Sequence, residues 1–133
     1  MSSPASNASH NATNIATHIA TEYLAAWNEL DAVRRRARIA GIFTAEAGYL
    51  DPMMRGAGHD GLDAMIGAAQ QQFAGLRFSL HGKQDGHNDV VRFSWALGAE
   101  GADPVAYGTD VAVIAEDGRI RSVTGFLDAP VAA

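Results

Sequence analysis

Apolar residues recur every three or four positions in the first half of this chain and every second position in the second half. A spacing of three to four places one apolar stripe along a helix, and a spacing of two places one apolar face on a strand. Helices first and strands later predict an α+β domain with helices packed on one face of a bent sheet. From Thr13 onward, Ile15, Ile19, Tyr23, Ala26, Trp27 and Leu30 form the stripe of a first helix. Asp31 is a capping residue for a second helix, whose inward face is expected to carry Val33, Ala37, Ala40 and Phe43. Tyr49 to Pro52 reads as a short strand stopped by proline, and Met53 to Gly58 as its brief hairpin partner. Asp60 is expected to cap a third helix with Leu62, Met65, Ile66, Ala69 and Phe73 buried.

The strands follow. Leu76 to Gly82, Val90 to Leu97, Val105 to Ala115 and Arg119 to Leu127 alternate, with turns at 84–89, 98–104 and 116–118. Asp117-Gly118 is a hairpin dipeptide. A curved sheet wrapped around a long helix leaves an apolar pocket between them, so the ionisable residues that point inward become the candidates for chemistry.

Composition narrows the partners. The 133 residues fit one domain, with 1–11 expected as a frayed tail and 12–133 as a single pocket domain. A hydrophobic content of 47% with 19% charged residues supports a real core. A formal net charge of -5 disfavours nucleic acid and anionic membrane surfaces as partners. Arg34, Arg35, Arg36 and Arg38 cluster on the second helix, and in an acidic chain they read as a solvated face. With no cysteine, disulfides and thiolate zinc sites are excluded, and a reducing cytoplasm is the expected compartment. No apolar run reaches the roughly 20 residues of a membrane span. The five histidines show no metal-ligand spacing, and neither a nucleophile elbow nor a phosphate loop is present, so no metal and no cofactor are expected.

Three segments carry a resemblance. Thr21-Glu22-Tyr23-Leu24-Ala25-Ala26-Trp27-Asn28, Phe43 through Tyr49-Leu50-Asp51-Pro52, and Tyr107-Gly108-Thr109-Asp110 followed by Gly118-Arg119-Ile120 resemble, in order and spacing, the bacterial ketosteroid isomerases and the SnoaL-like proteins of the nuclear transport factor 2-like superfamily. The resemblance runs from about residue 13 to 128. It implies a cone-shaped fold in which a curved antiparallel sheet wraps around N-terminal helices, and a small-molecule pocket. It further implies cofactor-independent proton transfer on a carbonyl compound, as in an isomerase, cyclase or dehydratase. The superfamily also holds non-catalytic binding and dimerisation modules, since one fold hosts many functions.

Residue by residue, the resemblance makes Asp51 the general base, and Tyr23 and Asp110 the pair that donates to the substrate oxygen. Asp is depleted in strand interiors, so Asp110 in an apolar run is the most informative single position. To donate, it must be protonated, which requires apolar surroundings; Val105, Val111, Val113 and Phe126 are the expected neighbours. Trp27, Tyr49, Phe126, Ser94 and His87 are candidate ligand contacts. Arg92 shares a face with Ser94, and the resemblance places that face in the cavity, where a guanidinium would favour an anionic ligand over a bare steroid. Limonene epoxide hydrolases use an arginine between two acids on this fold, but the acid they need would fall near Thr124-Gly125-Phe126, where this chain has none. Phe93, Trp95 and Leu97 are then expected on the outer face of the sheet, as the seam of a homodimer.

Overall fold

The computed structural model describes the backbone of residues 4–128 and the side chains of 13–128. Helix α1 spans Pro4–Asn28 and α2 spans Ala32–Ile42. Strands β1 (Phe43–Leu50) and β2 (Arg55–Ala57) follow, then α3 (Gly58–Gln72) and four longer strands. These are β3 (Arg77–His87), β4 (Val90–Gly98), β5 (Ala106–Ile114) and β6 (Ile120–Leu127). Of the expected tail, residues 1–3 lie outside the described residues, and 4–11 are helical in backbone.

The six strands form one sheet in the order β2-β1-β6-β5-β4-β3. Pairings are antiparallel except between β1 and β6, which run parallel, so the sheet is mixed. The parallel pair arises because α3 and four strands intervene before the chain returns beside β1. Register breaks at 43/48, 81/85 and 113/114 are the irregularities through which a long sheet bends.

The core lies between the helices and the concave face of this sheet. Tyr23 from α1, Ile39 from α2, Leu62 and Ile66 from α3, and Phe43, Phe93, Ile120 and Val123 from the strands are all buried. α1 buries Ala16, Ile19, Ala20, Tyr23, Leu24, Ala26 and Trp27, whereas Ile15 and Leu30 are exposed. α2 departs from its expected face. Val33, Ala37 and Ala40 are exposed, Ile39 and Ile42 are buried, and Phe43 begins β1. The larger side chains won the core and the alanines went to solvent. Asp31 caps α2 as expected, accepting from the Arg34 amide. α3 instead starts at Gly58 with Ala57 as its N-cap, and Asp60 lies in its first turn.

Two polar clamps hold the helices, one against the sheet and one against each other. Asn28, at the end of α1, donates to the Phe78 carbonyl at 2.8 Å and accepts from the Phe78 amide at 2.9 Å. A side-chain amide thus pairs with the free edge of β3 as a neighbouring strand would. Gln70 of α3 donates to the Trp27 and Glu29 carbonyls at the end of α1. Its oxygen accepts from Arg35, which also pairs with Asp63 at 2.7 Å. Arg35 is therefore a structural clamp, while Arg34, Arg36 and Arg38 pair at the surface with Glu29 and Asp60.

Candidate active site

A cavity of about 250 Å³ opens between α1, α3 and the concave side of β3–β6. Its walls are aromatic and aliphatic, with Trp27, Phe78, Trp95 and Phe73 prominent. Polar groups reach it from Tyr23, Tyr49, Asp51 and Asp110.

Asp110 is 2% exposed, the one buried charged residue among those described. The alternation of β5 turns Gly108, Asp110 and Ala112 inward. Its strand neighbours are Phe93 on β4 and Gly125 on β6. Val111 and Val113 face the other side of the sheet, so of the expected valines only Val105 lines the cavity, and Tyr23, Phe93 and Trp95 supply the rest of the apolar surroundings. Gly125 permits the arrangement. A Cβ there would stand 2.7 Å from Asp110 Oδ1, 3.1 Å from Asp51 Cβ and 3.3 Å from the Tyr49 hydroxyl. The glycine lets a carboxyl lie flat against the next strand, which a side chain would forbid.

The Tyr23 hydroxyl donates to Asp110 Oδ2 at 2.9 Å, and Asp110 Oδ1 has no partner among the described residues. Burial pushes the Asp110 carboxyl up to about 6, against the pull of the Tyr23 hydroxyl. Burial also holds the Tyr23 hydroxyl well above the usual tyrosine range, with the Asp110 charge adding to it. The proton on this pair therefore belongs to Tyr23 at neutral pH and is joined by a second, on Asp110, as pH falls toward 6.

Asp51 follows the last residue of β1 and is held from three directions. Oδ1 accepts from the Met53 and Met54 amides at 2.7 and 2.8 Å, and Oδ2 accepts from the Tyr49 hydroxyl at 2.5 Å. The residue thus caps the turn after β1 and also lines the cavity. Tyr49, 6% exposed, packs its ring 5.5 Å from Trp27, and burial raises its hydroxyl far above the ordinary tyrosine value.

Tyr23, Trp27, Tyr49, Asp51 and Asp110 are thus brought together, and the other four candidates are not. Arg92 lies on the outer face of β4, with its side chain 65% exposed and paired to Asp85 at 3.3 Å. Ser94 shares that face and bonds Thr109, which in turn donates to Asp128. Phe126 is 55% exposed on the outer face of β6. His87 is exposed in the β3–β4 hairpin and contacts Asn88. The expected two-sidedness of β4 holds, but the faces are reversed. Val91, Phe93, Trp95 and Leu97 are buried, because burying four large apolar side chains outweighs burying an arginine that would need a buried partner. Trp95 and Leu97 line the cavity and were missed as site residues for this reason. Gly108, above which the Trp95 indole lies with no room for a Cβ, was missed as well, although a glycine inside a strand signals close approach.

Among the described residues no three His, Asp or Glu side chains gather as a metal site, and no helix is long and apolar enough to cross a membrane.

A bent six-stranded sheet packed against three helices over an apolar cavity with two inward carboxyls is an α+β fold shared with solved nuclear transport factor 2-like proteins. Within that fold the chain belongs to the SnoaL-like family, whose domain model matches residues 20–123. A SnoaL-like family protein of Agrobacterium tumefaciens, whose name suggests an isomerase, is 47% identical over 87% of this chain and 99% of its own, with a TM-score of 0.84. A SnoaL-like protein of Burkholderia thailandensis is 18% identical over 87% of this chain and 97% of its own, with a TM-score of 0.68. A Sinorhizobium meliloti protein, whose name suggests a polyketide cyclase, is 18% identical over 81% and 93%, with a TM-score of 0.63. No curated protein matches the chain.

Proposed function

We propose that this protein binds a small carbonyl compound and moves a proton on it without a cofactor, as an isomerase, cyclase or dehydratase would. The observation that carries the reading is the convergence of Asp110, hydrogen-bonded to Tyr23 in a buried apolar setting, and Asp51 at one cavity. Protonated Asp110 is a donor for the oxygen on which charge develops. Its elevated proton affinity supplies that form at mildly acid pH or once a ligand displaces solvent. Asp51, whose Oδ2 accepts from the Tyr49 hydroxyl, is the base beside it. The isomerase name of the Agrobacterium relative supports the same class of chemistry.

The experiment is exchange of α-hydrogens of 2-tetralone for deuterium in D₂O, followed by NMR. Wild type accelerates exchange, and Asp51→Asn, which keeps an acceptor for the turn, abolishes the acceleration. No acceleration by wild type across a panel of ketones would overturn the reading. One observation favours a binding module without turnover: the three donors on Asp51 already satisfy much of its acceptor capacity. Ligand binding with no exchange would select it.

A homodimer through the outer face of the sheet is part of the proposal. Tyr107, Val111, Val113 and the exposed Phe126 give that face an apolar character that dimerisation would bury.

A further inference from the structure

Resting on the reading that the cavity is the ligand site, we propose that its occupant is an uncharged planar carbonyl compound of one or two rings, and that carboxylates and larger polycyclic ketones gain nothing from it. The size follows from the enclosed space. A dry cavity of about 150 Å³ holds benzene, so the 250 Å³ here, open at its mouth, has room for about ten non-hydrogen atoms. Further rings would pass the mouth, where Met53, Val105 and Leu127 are 54%, 61% and 45% exposed. There the rim would cover them only in part.

The shape follows from the walls. Trp27, Phe78 and Trp95 stand edge to face in series, with centroids 5.5 and 5.1 Å apart and interplanar angles of 66° and 82°. Trp95 is pressed onto Gly108, so this wall has little freedom to open for a bulkier body. A flat ring meets such a wall over most of its area.

The charge follows from what the lining lacks. Two carboxyls face the cavity and, among the described residues, no lysine, arginine or histidine does. Arg92, the cation expected there, is outside. An anion entering the cavity would meet Asp51 and Asp110 with no cation to pair it. The polar end of the ligand follows from two buried atoms without partners among the described residues, Asp110 Oδ1 and Trp27 Nε1. The indole only donates, so the group that satisfies it is an acceptor oxygen, to which Asp110 adds a second donor once protonated as pH falls toward 6.

The chain's only two tryptophans, Trp27 and Trp95, both line the cavity, so intrinsic fluorescence reports occupancy directly. The test titrates the whole protein at pH 7 with three probes: 2-tetralone, the carboxylate of the same two-ring skeleton, and progesterone. The expected result is saturable quenching by 2-tetralone, at least tenfold weaker binding of the carboxylate, and progesterone binding no tighter than 2-tetralone. Carboxylate binding within threefold of the ketone would overturn the charge argument. Progesterone binding more than tenfold tighter would overturn the size argument, and no quenching by millimolar 2-tetralone would overturn the whole. Because titration needs no turnover, a protein that binds as expected but fails the deuterium exchange loses the catalytic reading and keeps this one.

Discussion

Asp110 concentrates the chemistry of this protein in one residue. Its folded carboxyl titrates at about 6 against an ordinary 3.8, so the folded state holds its proton more tightly than the unfolded chain does. The linkage sign is then fixed. The contribution to stability is fully present below about 4 and is lost as pH rises through about 6, by on the order of 3 kcal/mol. Asp110→Asn removes this dependence, so urea midpoints of variant and wild type should converge near pH 4 and diverge in the variant's favour by pH 8. Gly125 acts through the same residue. Gly125→Ala forces a methyl to 2.7 Å from Asp110 Oδ1 and 3.1 Å from Asp51 Cβ. Overpacking at such a contact costs roughly 1–3 kcal/mol, and thermal unfolding should show the loss together with weakened 2-tetralone quenching.

Among the elements, β3 depends on a helix for its edge. Both backbone groups of Phe78 are spent on the Asn28 side chain, in place of a seventh strand. Asn28→Ala leaves a donor and an acceptor without partners next to the aromatic wall. The expected cost is about 1–3 kcal/mol, with faster hydrogen exchange at the Phe78 amide than elsewhere in β3. The effect should reach the cavity, because Phe78 packs between Trp27 and Trp95. By contrast Arg92, on the exposed side of β4, has only a surface ion pair with Asp85. Arg92→Met should change stability by less than about 0.5 kcal/mol and leave ligand quenching unchanged. That outcome is the reverse of what the resemblance implied for this position.

At the scale of the molecule, the concave side of the sheet is filled by helices and cavity, and the convex side is left to whatever assembles on it. A dimer through that side would cover Phe126 and Tyr107. Sedimentation velocity at micromolar concentration should give a dimer, and Phe126→Lys should shift it toward monomer without loss of secondary structure by circular dichroism. A wild-type monomer would remove the assembly from the proposal.

The sequence by itself determined the order of elements, because three-to-four and two-residue spacings are local properties that survive without knowledge of the partner surface. Local too are the Asp31 cap, and Tyr23, Asp51 and Asp110 as the ionisable groups set in otherwise apolar runs. The tertiary structure alone decided which faces of α2 and β4 turned inward. On β4 alternation separated Arg92 and Ser94 from Phe93 and Trp95, but which set met α1 depended on competition for the core, and the aromatic set won. On α2 the same competition chose Ile39 and Ile42 over Val33, Ala37 and Ala40. The parallel pairing of β1 with β6 likewise joins segments some 75 residues apart, and with it comes the close approach of Gly125 to Asp51 and Tyr49. Periodicity encodes two faces, and the choice between them is a property of the whole packed chain.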